Sequence, residues 1–380
     1  MHRLAKALRY FAGRYAQAHA QWWRHTMNKI ITIFLILVLA NSSFSQSGVE
    51  SRAEVMAREL RRSAHLPGLS ISVFRGDSLV WSEGFGVADV RSNRPVTSST
   101  RFRIGSLTKL LTAVCAVRLA QDSLLDLDAP IQKYVPSFPL KRARITTRLL
   151  LGHLSGIRQY GRNEYINTHH YSSVQEALTI FQKDTLLFVP GTQYHYSSYG
   201  YVLVSAVIEG ASRRRFLDLL RDSVCTPLSL SSITPDFNNR SDTSQAQPYG
   251  LDSKGAWVEG PFNDNSNRWG AGGMLSTSAD LARFGSSLLT GKILDPQMRS
   301  MMFTSQRTSD GKETGVGLGW RISMDSTGNV YFHHGGDSIG GRAFLLVYPT
   351  SKIIVSILAN LTFANIDQND ALRFARLFSD

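Results

Sequence analysis

Cysteine is nearly absent from this chain: Cys115 and Cys225 are the only two in 380 residues. A disulfide-stapled scaffold is therefore excluded. Cys115 falls inside an apolar helical pattern and reads as a buried free thiol. No set of potential ligands has convincing metal-site spacing, so no metal and no cofactor are implied. The apolar run Ile30–Ala40 covers 11 residues, well short of the roughly 20 needed to span a bilayer, so the mature chain is expected to have no integral membrane span. Acidic residues are scarce beside basic ones, 29 against 42. Yet no basic stripe interleaved with aromatics is present, which argues against a nucleic-acid partner. Arg213-Arg214-Arg215 reads as a solvated helix face. Low-complexity tracts and repeats with a period of 20–50 residues are both missing, which excludes a disordered chain and a solenoid. With 43% hydrophobic residues, a large core is available.

The first 45 residues carry six basic side chains (Arg3, Lys6, Arg9, Arg14, Arg24, Lys29) and no Asp or Glu. From Met27, a plausible true start, a short basic segment leads into Ile30–Ala40 and then Asn41–Gln46, with small residues before a Ser45/Gln46 cut. This is the pattern of a secretory signal peptide, and it places the mature chain in the periplasm or outside the cell. A mitochondrial-type presequence is the competing reading of the same segment. Without residues 1–45 the chain keeps 36 basic and 29 acidic residues, a mild excess compatible with an acidic substrate.

Along residues 46–380, an amphipathic helix is expected at 50–64. Two β-rich runs follow, Gly68–Phe74 and Ser78–Val87. The Arg75-Gly76-Asp77 between them is first a hairpin turn, not an adhesion signal. Helical patterns dominate from 106 to 299, at 107–121, 173–182, 199–212, 214–222 and 278–290. The period then returns to two: Val316–Ser323, Val330–His334, Arg342–Tyr348 and Lys352–Ala359 read as strands, and Asp367–Phe378 as a closing helix. The expected class is α/β (α+β). One antiparallel sheet would be built from both chain ends (about 46–105 and 300–380), flanked by helices, with a mostly helical insertion at about 106–299. A cleft between those parts is the expected place for a site.

Three motifs carry the chemistry. Ser106-Leu107-Thr108-Lys109 sits where a polar stretch becomes an apolar-periodic one, so Ser106 opens a helix whose free N–H groups favour developing negative charge. Lys109 shares the serine's face; once buried, its amine loses proton affinity and can take the serine proton. A second S-x-x-K, Ser309–Lys312, contains Asp310-Gly311 and reads as a turn. The second motif is Tyr196-Ser197-Ser198, between the Pro190-Gly191 turn and the apolar helix Val202–Ile208; another Tyr-Ser-Ser at 171–173 lacks that setting. The third is His333-His334-Gly335-Gly336-Asp337. Neighbouring histidines on a strand point to opposite faces, so one would face a cleft and the pair would not chelate one metal. The glycines would let a substrate lie against the strand.

S-x-x-K, then Y-S-x, then H-x-G on a late strand resembles the penicillin-binding and class C β-lactamase-like serine hydrolases. The stretches Ile145–Arg158, Tyr196–Ser212 and Asp264–Met274 resemble the mitochondrial β-lactamase-like serine protease subgroup. The resemblance spans about 50–380. It implies a transpeptidase-like fold, Ser106 as acylated nucleophile, Lys109 as its proton partner and Tyr196 as proton shuttle. It also implies His334 in place of the lysine in the family's third motif, Gly336 keeping that strand open, and the N–H groups of Ser106 and Asp337 as an oxyanion hole. Ser198 stands where penicillin-recognising members usually have Asn, and a serine lacks the amide's paired donor and acceptor. A neutral His334 would hold a substrate carboxylate less firmly than lysine. Both departures favour peptides, including cell-wall peptides with D-residues, or small esters over β-lactams. A true β-lactamase is the rival among enzymes, and a catalytically idle binding or scaffold protein the rival of another class.

Overall fold

The computed structural model describes residues 2, 4–9, 11–13, 23, 27 and 48–379. The apolar run 30–40 and the Ser45/Gln46 cut lie outside them. The chain divides into two units, residues 1–54 and 55–380. Everything below concerns the second, which opens within a helix over residues 48–63 (α1).

The strand β1 (Gly68–Arg75) turns through Gly76 into β2 (Ser78–Asp89). Gly76 holds φ +57°, a conformation that costs glycine little. β3 (Arg94–Pro95) pairs with β2 at the sheet edge, where a proline's missing N–H is tolerated. The late strands β9 (Arg321–Met324), β10 (Val330–Ser338), β11 (Gly341–Tyr348) and β12 (Ile353–Ala359) complete an antiparallel sheet in the order β3-β2-β1-β12-β11-β10-β9. Its centre is the β1–β12 pair, with Leu69 opposite Ala359 and Val73 opposite Val355. Both chain ends therefore share one sheet, as the sequence pattern implies.

The two faces of β1 meet different helices. Ser70 and Ser72 Oγ bond to Ser278 Oγ at 2.8 and 2.7 Å, at the start of α7 (Ser278–Thr290). Val73 is paired with Trp81, whose ring stacks at 5.9 Å on Phe374 of α9 (Gln368–Leu377). With helices on both faces, β12 is buried at all seven positions and apolar at all but Ser356, unlike the alternation of a half-solvated strand.

Between the sheet halves run α2 (Thr108–Gln121), α3 (Thr147–Leu151), α4 (Val174–Leu178), α5 (Ser198–Ser212) and α6 (Phe216–Leu220). Helices α2 and α5 are apolar nearly all round and pack together at the centre of the core. A small sheet joins β4 (Phe102–Arg103), β8 (Met274–Ser276) and β5 (Thr234–Pro235). It brings the 271–273 turn beside Gly105.

Several expectations are corrected. The expected strand 316–323 survives only as β9, because Gly315 and Gly319 adopt φ +69° and +90° and break the extension. The pattern at 214–222 ends early and unwinds into a π turn over Arg221–Cys225. Helix α8 (Pro296–Phe303), capped by Asp295 with proline in its first turn, falls where no element was expected. Thr277 caps α7 by accepting from the Asp280 N–H, and the Asp280 carboxylate accepts from Ser232.

Beneath the site, Arg103 Nε meets Asp236 Oδ2 at 2.7 Å, both almost fully buried. Arg103 also donates to Ile339 O at 2.9 Å, at the β10–β11 turn. Arg103→Met leaves a buried carboxylate unpaired and is expected to cost about 3–5 kcal/mol, read as a lowered midpoint in urea.

Candidate active site

A cleft of about 540 Å³ lies between the late strands and the helical part, and Ser106, Tyr196, Ser198, His334 and Asp337 all line it. Ser106 sits in a 3₁₀ turn, Gly105–Leu107, that runs directly into α2. Gly105 has φ +49°, and a Cβ there would lie 2.4 Å from Asp337 O. Reciprocally, a Cβ on Gly336 would lie 2.1 Å from Ile104 O and 3.1 Å from Ser106 N. Both glycines are required because two backbones touch here, the Ser106 turn and β10. That is a more specific reason for Gly336 than room for substrate.

Lys109 is fully buried. Its Nζ lies 3.0 Å from Ser106 Oγ, 3.2 Å from Ser198 Oγ and 2.7 Å from Ala271 O. Burial, reinforced by the Arg268 guanidinium, holds this amine well below the ordinary lysine range. A neutral amine has two N–H groups and one lone pair. In that state Ala271 O and Ser198 Oγ can accept the two N–H groups, which would leave the lone pair for the Ser106 hydroxyl.

Tyr196 hydrogen-bonds to Ser106, and its ring lies 5.0 Å from Lys109 Nζ. Burial pushes its hydroxyl above the usual tyrosine range, so it keeps its proton at neutral pH. His334 faces Tyr196 across 6.1 Å between ring centres. Burial, with Lys109 and Arg321 nearby, pushes its imidazole down to about 3, so the ring is neutral. Its Nδ1 lies 2.5 Å from Gly335 O and donates to it, leaving Nε2 as an acceptor.

His333 requires a correction. The expectation was that only one of the two histidines would face the cleft, yet both line it. The reason is in the register: β9 pairs with β10 only from Val330 to His333. Beyond His333, among the described residues, β9 pairs no further with that edge of β10, and Gly335, Asp337 and Ser338 line the cleft as well. His333 is tied down by Ser323 Oγ at 3.0 Å.

The motif look-alikes fall elsewhere. Ser309–Lys312 is a turn, with Gly311 N–H bonded to Thr308 O at 2.8 Å. Ser173, of the other Tyr-Ser-Ser, caps α4. Neither stretch lines the cleft.

In the cleft, or buried behind it in the case of His153, stand residues that the three motifs did not single out. Gln159 Oε1 accepts from Ser198 N–H at 2.6 Å and fixes the start of α5. His153, in the left-handed region at φ +59°, places its ring 4.4 Å from that of Tyr196 and accepts Ser197 N–H on Nδ1 at 3.2 Å. Arg268 and Arg321 bring two cations. His153 and Arg268 lie within stretches already notable in the sequence, whereas nothing local marks Gln159 or Arg321.

A sheet made from both chain ends, a helical insertion, and a serine bonded to a buried lysine at their junction define a penicillin-binding-type serine hydrolase. The Beta-lactamase family model matches residues 53–378, and the chain belongs to that family. It is 28% identical over 438 residues to the mitochondrial serine beta-lactamase-like protein LACTB of Homo sapiens, covering 87% of this chain and 79% of that one. Among solved structures, the octameric penicillin-binding protein homologue from Pyrococcus abyssi superposes with a TM-score of 0.75 at 26% identity, over 86% of this chain and 76% of that one. A D-stereospecific amidohydrolase from Streptomyces sp. shares the fold, with a TM-score of 0.69 at 23% identity, over 87% and 96% of the two chains.

Proposed function

We propose that the chain works through an acyl-enzyme at Ser106, on peptides that include cell-wall peptides with D-residues, or on small esters. The observation that carries this is the placement of the buried Lys109 Nζ, 3.0 Å from Ser106 Oγ with Ser198 Oγ and Ala271 O at 3.2 and 2.7 Å, so that a neutral amine can give its two N–H groups to the latter pair and its lone pair to Ser106. Lys109 takes the Ser106 proton as Oγ attacks the substrate carbonyl. The N–H groups of Ser106 and Asp337, brought together by Gly105 and Gly336, receive the developing oxyanion. Tyr196, protonated at neutral pH, gives its proton to the leaving group and is reprotonated by the proton Lys109 holds. Water then attacks the ester to release the acid and restore Ser106. Ser198 holds an N–H of Lys109 in the oriented amine, a role its short hydroxyl can fill without an amide.

The edge of β10 that β9 leaves unpaired beyond His333 supports a peptide substrate, because an extended chain can pair with exposed strand N–H and C=O groups. The neutral His334 and the Ser198 hydroxyl disfavour rapid β-lactam turnover. For location, the basic segment followed by Ile30–Ala40 supports export, while the mitochondrial LACTB relatives favour the presequence reading of the same residues.

Incubation with a fluorophosphonate probe and a fluorescent penicillin tests the assignment. Wild type is expected to label with the fluorophosphonate, Ser106→Ala to lose that label, and penicillin to turn over slowly. Labelling that persists in Ser106→Ala would sink the nucleophile assignment, and rapid penicillin turnover would overturn the peptide preference.

A further inference from the structure

We propose that His153 is a positioning residue for Tyr196: it holds the backbone on both sides of that tyrosine and so keeps the hydroxyl on Ser106. This deepens the acyl-enzyme reading and rests on it. Helix α3 ends in a turn closed by two hydrogen bonds, His153 N–H to Leu150 O at 3.2 Å and Leu154 N–H to Leu149 O at 2.7 Å. In such an ending the residue just past the cap takes left-handed backbone and is usually glycine. Here it is His153, at φ +59° and only 2% exposed. Its Nε2 finds no hydrogen-bond partner among the described residues. Glycine would relieve both the backbone strain and the buried, unpaired nitrogen. An imidazole standing against both preferences points to a task for its side chain.

The contacts of His153 name that task. Its carbonyl oxygen accepts the His195 N–H at 2.9 Å, and its Nδ1 accepts the Ser197 N–H at 3.2 Å. These are the residues before and after Tyr196. The imidazole centre also lies 4.4 Å from the Tyr196 ring centre, with the planes tilted by 35°. One residue thus grips the tyrosine at three points. A main-chain N–H can only donate, so Nδ1 is bare and the ring proton is on Nε2. Burial first, then Lys109, His334, Arg321 and His195, holds the imidazole well below the ordinary histidine range, so Nδ1 stays an acceptor. Ser197 Oγ donates to Arg158 O at 2.7 Å and Ser198 N–H to Gln159, which ties the rest of the stretch to the same segment. The Tyr196 hydroxyl is the far end of a rigid ring, so a small turn of its backbone carries it away from Ser106. A displacement of about 1 Å at such a group can cost about 10²-fold in rate.

The test uses the full chain and two esters. Ethyl butyrate releases an alkoxide that needs a proton; p-nitrophenyl butyrate releases a phenolate that does not. Glycine and asparagine both accept left-handed backbone, but only asparagine brings an acceptor near the place of Nδ1. His153→Gly is expected to lower kcat/KM for ethyl butyrate by about 10- to 100-fold, and for p-nitrophenyl butyrate by a few-fold at most. His153→Asn should recover about 3- to 10-fold of the loss, the share of one hydrogen bond. In a Tyr196→Phe background His153→Gly should lower kcat/KM no further, because no hydroxyl is left to position. The same factor lost with and without that hydroxyl overturns the proposal, and so does equal kcat/KM for the glycine and asparagine variants. Nitrogen NMR of 15N-labelled wild type needs no variant. The assigned His153 ring should carry its proton on Nε2 at neutral pH, and a proton on Nδ1 overturns the proposal even if the variants fail to fold. Failure of the underlying reading looks different: Ser106→Ala or Tyr196→Phe would then turn over ethyl butyrate at the wild-type rate.

Discussion

Lys109→Met is expected to lower kcat/KM by about 10²- to 10⁴-fold, the usual share of a positioned general base, while raising the melting temperature at neutral pH. The two effects have one cause. Burial depresses the folded-state proton affinity of the amine. Between that depressed value and the ordinary lysine value of about 10.4, the unfolded chain binds more protons than the folded one, and wild-type stability rises with pH. Methionine removes this titration. The stability advantage of the variant should therefore grow as the pH falls, which thermal melts across a pH series will show. Activity follows the same group with the same sign: it increases with pH as Lys109 loses its proton. Equal melting curves for wild type and variant at every pH would contradict a neutral buried lysine, and an unchanged kcat/KM would remove Lys109 from the chemistry.

The second large effect belongs to a residue with no side chain. In Gly336→Ala the new methyl must displace Ile104 O, 2.1 Å away and part of a backbone that cannot rotate aside. Either β10 or the nucleophile turn moves. Overpacking of this kind costs about 1–3 kcal/mol, and separating the Ser106 and Asp337 N–H groups should lower kcat by about 10²- to 10³-fold. Gly335→Ala is the contrast. A Cβ there meets nothing nearer than 3.5 Å, at the end of the flexible Arg342 side chain, so stability and kcat should stay within a few-fold of wild type. A Gly336→Ala protein as active as Gly335→Ala would show that the touching backbones play no part in catalysis.

Much of this was legible in the residues themselves. The Gly76 turn, the β11–β12 hairpin, α2, α5, α7 and α9 each come from local patterns that the fold leaves intact. The sheet from both chain ends followed from where period-two segments fall. Ser106 could be ranked above Ser309 because a helix start and a turn differ over a few residues. What stayed hidden was set by partners distant in sequence. The strand expected at 316–323 was shortened by glycine conformations. The His333 face could not be foreseen because it depends on where β9 stops pairing. Gln159, His153 and Arg268 matter through what lies across the cleft. The short strands β4, β5 and β8 are two or three residues each and exist only as a set.

The contact between Gly105 and Asp337 also sets an order of events. Ser106 and Lys109 lie on one turn of helix near the start of the fold, but the second oxyanion N–H and His334 arrive with a strand made near the end of synthesis. β1, at the centre of the sheet, has to wait for β12 as well. Pairings so distant along the chain are slow to close. A growing chain thus carries Ser106 and Lys109 for most of its synthesis without the groups proposed to act with them. Hydrolytic capability arises only when the last strands dock, so the fold itself delays the enzyme until it is complete.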